Sequence, residues 1–278
     1  MACCDFLFIE IASYTLIVLQ MFDSAFFRAA GVIYTGVDEY AEKPWPSMPS
    51  YFAMPFNTLI NIIYTFLGVY WLFLRRQKRD HSVNLRVFCW IIIIYSGVQL
   101  FRIVTQQHFF GVLDQWYTLH IASWVFLWAL SLQLEKDNWI VKNFILIELI
   151  LCLSYPILGN LHPHGYEVTI GTHLILILVA VIRLHMTLKN EKDTNFRVCL
   201  LCICASCCIG FVLFDLLELY LATLWPSMFT VWSGHFFSRV CDILQIHFMI
   251  TLLTMIEDYK FQEHNEKVKL KRITQKYK

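Results

Sequence analysis

Trp232–Leu253 reads WSGHFFSRVCDILQIHFMITLL. A hydrocarbon core of about 30 Å takes about 20 apolar residues in helical form, so this run is long enough for one crossing. Its apolar residues come in blocks, without the alternation that a barrel strand needs. Lipid offers backbone groups no hydrogen-bond partner, and a run of this kind therefore folds as a helix. Yet it holds His235, Arg239 and Asp242. At about 100° per residue, the spacing i, i+4, i+7 sets all three on one narrow stripe. An arginine facing lipid at mid-helix costs about 2.5–3.5 kcal/mol on insertion scales. The stripe is thus expected to face protein, with Arg239 finding a carboxylate on Asp242 one turn away, or on Asp114, Asp215 or Glu218 of other helices.

The rest of the chain agrees with that reading. Of its 278 residues, 58% are hydrophobic and only 15% charged, against about 45–50% apolar and about 25% charged in a soluble domain. The expected fold class is all-α, a polytopic membrane helical bundle. Eight runs qualify as spans, approximately over residues 6–27, 52–74, 85–107, 114–134, 139–158, 167–188, 197–222 and 232–256. The leading MACCDF lacks the basic residue of a signal peptide, so the first run is read as an uncleaved anchor. This divides the chain into an N-terminal anchor (1–31), an extracytosolic loop (32–50) expected to be ordered against the bundle, a transmembrane core (51–256) and a basic cytosolic tail (257–278).

Loop charge orients the bundle. RRQKRDHSVNLR (Arg75–Arg86), the link around Lys189 and Lys192, and KVKLKRITQKYK (Lys267–Lys278) are basic, whereas LGNLHPHGYE (Leu158–Glu167) and LATLWPSMFTV (Leu221–Val231) contain no Lys or Arg. The positive-inside rule then puts both termini in the cytosol, in an endomembrane or the plasma membrane. A net charge of +1 argues against nucleic acid as a partner. Membrane lipids are the expected partners, with the tail lysines suited to anionic headgroups. No protein partner is indicated.

In this topology six of the ten histidines (His108, His120, His162, His164, His173 and His235) share the extracytosolic half with Asp114, Glu167, Asp215 and Glu218. Span two adds Asn57 and Asn61 in MPFNTLINIIYTFLG, with Tyr64 and Gly68 on the same helical face, and span three adds Gln99 and Arg102. Asn57, Asn61, Arg102, Asp114, His235, Arg239 and Asp242 are the candidate lining of a polar chamber. The alternative is a buried network that fixes helix register. Five of the ten cysteines, Cys199, Cys202, Cys204, Cys207 and Cys208, lie in one apolar run. Helical geometry spreads them around the circumference, so they read as packing residues, with acylation of Cys199, Cys3 or Cys4 as the other reading.

The stretches YAEKPWPSMPSYFAMPFNTLINIIYTFLG, LHPHGYEVTIGTH, GHFFSRVCDILQIHF and VLDQWYTL closely resemble the transmembrane protein 187 family, a multi-pass family of uncertain function. A more distant resemblance is to the alkaline ceramidase and progestin/adiponectin receptor superfamily. It rests on Asn57, Thr58 and Asn61 for an Asn-Thr-x-x-Asn element, Leu113-Asp114 for a Leu-Asp start of the third core helix, and His235 for the first position of a His-x-x-x-His pair. It implies a seven-helix ceramidase-like core with one added N-terminal helix, and a zinc ion held by three histidines.

The departures from that pattern bear on chemistry. Arg239 stands at the second position of the pair, and Gln99, Arg102 and Ile103 lie where a third histidine is implied. A guanidinium has five donors and no lone pair for a cation. Arg239, with Arg102, is therefore expected to take the place of the zinc charge and to hold Asp114 or Asp242 by bidentate bonds, leaving a non-catalytic, degenerate metal-hydrolase-like site able to bind a lipid-like ligand. No cofactor is expected on this reading. Two alternatives compete with it. One is a zinc-dependent lipid amide or ester hydrolase with a rebuilt site on His162, His164 and His173 and with Glu167 as base. The other is a transporter or channel that uses the buried charges.

Overall fold

The computed structural model describes residues 42, 45, 47–49, 54–76, 82–134, 138–162, 164–188, 193–229 and 231–276. The expected anchor over 6–27 and most of the 32–50 loop lie outside them.

Local chemistry decides where helices begin and end. Pro55 opens α1 (Pro55–Arg76), a position that suits its fixed φ and missing N–H. The next two N–H groups, of Phe56 and Asn57, each donate at 3.0 Å to one carboxylate oxygen of Glu42, a loop residue with no exposed surface. Part of the expected extracytosolic loop is thus tied to the bundle as a helix cap. Ser82 caps α2 (Val83–Thr105) by accepting from Leu85 N at 3.1 Å. The helix ends at Gln106, which is left-handed at φ 53° and donates its N–H to Arg102 O. Two residues later α3 (His108–Ser131) begins. So short a connection folds α3 back along α2.

The chain continues through α4 (Trp139–Lys142), α5 (Phe144–Leu161), α6 (Gly165–Thr187), α7 (Thr194–Leu216), α8 (Glu218–Leu224), α9 (Pro226–Phe229) and α10 (Gly234–Lys276). Among the described residues there is no strand. Three expected spans are corrected. The run at 139–158 breaks at Asn143, which leaves helical geometry between α4 and α5. The run at 197–222 breaks at Leu217, between α7 and α8. The last helix does not stop near 256 but continues through Lys276, so the basic tail is helical over nearly all of its length. At about 1.5 Å per residue, its 43 residues extend roughly 64 Å, about twice a hydrocarbon core.

Among the described residues five helices are long and apolar enough to cross a membrane: α1 over Pro55–Phe73, α2, α6, α7 and α10 over Gly234–Leu270. The span expected at 114–134 is the helix α3, which is long enough but not among these five. The reason lies in its surroundings. It packs against α2, α5 and α6, and its buried residues include Asp114, Gln115, His120 and Ser123 beside Trp116 and Trp128. A helix enclosed by protein on most sides needs no apolar exterior. Outer helices show the reverse: α6 exposes Ile175, Leu178 and Met186, and α7 exposes Phe196, Ile209 and Leu216, surfaces suited to lipid.

On the other flank α10 packs against α1 and, more extensively, α7. Two glycines permit close approach. A Cβ on Gly68 would lie 2.6 Å from Ile93 Cγ1 and 2.9 Å from Cys89 O, so α1 can meet α2 this closely only without one. A Cβ on Gly234 would lie 2.9 Å from Glu218 Cα, where the start of α10 crosses the α7–α8 break.

Candidate functional site

The candidate chamber residues form a buried polar network at the end of α2, the start of α3 and the first turns of α10. Because α3 folds straight back from α2, Arg102 near the end of one reaches Asp114 near the start of the other: its Nη1 donates to Oδ2, while Gln99 Nε2 donates to Oδ1. Gln99 also donates to the Tyr95 hydroxyl at 2.7 Å. From α10, Arg239 Nη1 donates to that hydroxyl at 2.6 Å, and Arg239 Nη2 lies 4.0 Å from Asp114 Oδ2. Arg239 Nε donates to His235 Nε2 at 3.2 Å, as their four-residue separation on one helix allows.

That bond fixes the imidazole. With Nε2 accepting, the proton of a neutral ring sits on Nδ1, the atom 3.5 Å from Asp215 Oδ1. Glu218 completes this edge by accepting from His235 N at 2.9 Å, a carboxylate at the positive end of α10. One turn further along α10, Asp242 accepts from Tyr64 of α1 at 2.6 Å, and the Tyr64 and Tyr95 rings meet edge to face. Arg102, Arg239, Asp114 and Asp242 together carry no formal net charge, as a buried set requires.

Two expectations about this site are corrected. Arg239 donates to Tyr95 and His235 rather than to Asp242, which is held by Tyr64. Neither aspartate is gripped by a two-pronged arginine: Asp114 divides its oxygens between Gln99 and Arg102. Asn57 and Asn61 lie at the seams beside the charges. Asn57 Oδ1 accepts from Ser233 Oγ at 3.0 Å, joining α1 to the start of α10, and Asn61 O accepts from Ser96 Oγ at 2.5 Å, joining α1 to α2. Among the described residues Asn57 Nδ2, Asn61 Oδ1 and Gln99 Oε1 are buried with no hydrogen-bond partner.

The alternative histidine set does not converge. His162 and His164 are exposed in the turn between α5 and α6, where His162 Nδ1 accepts from His164 N at 3.1 Å. His173 is buried, and its Nδ1 binds Thr169 O of its own helix at 2.8 Å. Among the described residues, two groups bring three potential ligand atoms within 4.8 Å of one another: His120, Glu148 and Cys152, and Asp215, Glu218 and His235. The zinc implied by the ceramidase resemblance fits the second group poorly, because the Arg239 bond leaves His235 Nδ1 protonated and sets a cation beside it.

Glu148 and Cys152 were not singled out from the sequence. The signal was there, as Glu148 is the only charged residue in Phe144–Leu161, and an intramembrane carboxylate marks a site. Tyr95 gave no such signal among the other aromatic residues.

The family model of the TMEM187 protein family matches residues 7–254. Transmembrane protein 187 of Bos taurus is 36% identical over 231 residues, covering 81% of this chain and 86% of the relative. Transmembrane protein 187 of Homo sapiens is 35% identical over 228 residues, covering 80% and 82%. No solved structure matches the chain. Its apolar helices make it an integral, multi-pass membrane protein, and the match over nearly its whole length shows that it belongs to the TMEM187 protein family.

Proposed function

We propose that the chain is a non-catalytic membrane protein that binds a lipid-like ligand in a degenerate, metal-free counterpart of a ceramidase-type hydrolase site. The observation that carries this reading is spare hydrogen-bond capacity beside a charge set already neutral in itself. Asn57 Nδ2 is a donor needing an acceptor, whereas Asn61 Oδ1 and Gln99 Oε1 are acceptors needing donors. Buried polar groups in native proteins are nearly always partnered, by protein, water or ligand. A head group offering both kinds of partner, an amide or a hydroxyl, answers all three. Asp215, half-exposed beside buried His235, gives the network an edge open to the surface, flanked by the exposed apolar side chains of Leu216 and Leu219.

Seven helices of 18 residues or more among the described ones support a seven-helix core following the expected N-terminal anchor. With the basic loops on the cytosolic side, the chamber opens toward the extracytosolic face. The hydrolase alternative would need His162, His164 and His173 to converge; His164 Nδ1 lies 3.7 Å from Glu167 Oε1, but His173 Nδ1 is engaged with Thr169 O of its own helix.

The test is mass spectrometry of lipids retained by the purified full chain. Wild type is expected to carry a lipid with an amide or hydroxyl head, and both Arg239→Leu and Asn61→Leu to lose most of it. Asn61→Leu removes an acceptor that has no donor, together with the Nδ2 bond to Asn57 O at 2.9 Å, so the variant should stay folded with a loss of about 1 kcal/mol, the worth of one ordinary hydrogen bond. Wild type free of lipid, or equal occupancy in a folded Asn61→Leu variant, would overturn the reading. Charge movement by the purified protein in liposomes would instead favour the transporter alternative.

A further inference from the structure

We infer that His120, Glu148 and Cys152 form a zinc site between α3 and α5, separate from the Arg239 chamber. Glu148 and Cys152 are four residues apart and share one face of α5. That face meets His120 near the middle of α3. All three are buried, at 3%, 4% and 0% exposure for His120, Glu148 and Cys152. Cys152 Sγ lies 3.3 Å from both His120 Nδ1 and Glu148 Oε1, and Glu148 Oε1 also meets His120 Nδ1 directly. Ser123 Oγ stands 3.2 Å from Cys152 Sγ and 3.5 Å from Glu148 Oε1.

The pattern distinguishes a coordination centre from a catalytic relay. In a nucleophile–histidine–acid triad the nucleophile and the acid use opposite ring nitrogens, so that a proton passes through the imidazole. Here the thiol and the carboxylate both converge on Nδ1. Metal bonds of about 2.0–2.3 Å place tetrahedral ligands roughly 3.3–3.6 Å apart. The two sulfur separations already match, and only the His120–Glu148 contact must open.

Donor chemistry chooses the ion. Thiolate, imidazole and carboxylate are the ligands of zinc, and the sulfur disfavours magnesium and calcium, which take oxygen. Binding would release the thiol proton to solvent. One thiolate, one carboxylate and one divalent cation sum to zero charge, as a buried site in a membrane bundle demands.

The experiment loads the purified full chain with Zn²⁺ or Co²⁺. Roughly one ion per chain is expected, with a sulfur-to-cobalt charge-transfer band. Cys152→Ser should abolish the band, and Glu148→Gln should weaken affinity by about 10-fold or more. Cys204→Ser and His235→Ala should change neither. No uptake by wild type, an unchanged band in Cys152→Ser, or loss of the ion in His235→Ala but not in Cys152→Ser would overturn the assignment. Unchanged mobility of Cys152→Ser on size exclusion separates loss of the site from loss of the fold.

Discussion

Asp114 on α3 and Glu148 on α5 are both buried carboxylates, yet their counter-charges differ. Asp114 has Arg102 in contact and Arg239 at 4.0 Å, two cations that nothing can deprotonate. Glu148 has an imidazole, a thiol and a hydroxyl, groups whose charge depends on a proton or a metal. In the first cluster Arg102, Arg239, Asp114 and Asp242 cancel by their own covalent structure, whereas the charge of the second depends on what it takes up. A permanently neutral cluster has no need of an ion, whereas an adjustable one can exchange protons for one.

The same chemical change should therefore cost unequal amounts. Asp114→Asn leaves Arg102 and Arg239 with only the Asp242 charge, one net positive charge in the bundle, and is expected to destabilise by about 3–5 kcal/mol, the cost of breaking a buried ion pair. Chemical unfolding of the detergent-solubilised protein measures it. A loss no greater than that of Glu148→Gln would remove the contrast altogether. Tyr64→Phe tests the other buried acid of the chamber, since Asp242 would lose its 2.6 Å hydroxyl donor. A hydrogen bond to a charged group is worth about 1.5–3 kcal/mol, and the same unfolding curves should show a loss in that range. A neutral result would mean that Asp242 draws its support from Arg239 through the field alone.

Much of the first cluster was legible in the sequence. A charged stripe at i, i+4, i+7 in an apolar helix must face protein, whatever the partners, and so His235, Arg239 and Asp242 declared themselves. Their partners did not. Tyr95 takes the Arg239 donor and Tyr64 the Asp242 acceptor, and a tyrosine in an aromatic-rich membrane helix carries no mark of which hydroxyl is buried. Helix ends were hidden for a different reason. Hydropathy sees apolar runs and not capping, so the breaks at Asn143 and Leu217 and the extension to Lys276 went unread. The 139–158 run also drew attention to its length and away from Glu148, its one acid within α5.

In the second cluster, Glu148→Gln retains an acceptor for His120 and Cys152. About 1 kcal/mol is expected for metal-free protein, the worth of an ordinary hydrogen bond. The contrast sharpens with zinc present, because stabilisation by a bound ion grows with its concentration over the dissociation constant. Added zinc should raise the thermal midpoint of wild type and leave that of Glu148→Gln much less affected. Equal shifts in both would place the bound ion elsewhere.

Glu42 offers a third way of countering a buried acid, and the smallest effect. Its partners are not cations but the N–H groups of Phe56 and Asn57 at the start of α1, whose helix end contributes partial positive charge. Burial raises the Glu42 carboxyl above its ordinary value, and the two N–H bonds only partly pull it back. The folded state thus keeps this proton at pH values where the unfolded chain, titrating near about 4.3, has lost it. The resulting stability is complete below that value and is lost as pH climbs through the raised one. Glu42→Gln should change stability by no more than about 1 kcal/mol, the scale of a helix cap, and flatten the slope of the thermal midpoint with pH above the ordinary carboxyl value. If the slope survives the substitution, the proton belongs to another group, and the helix end alone compensates the Glu42 charge.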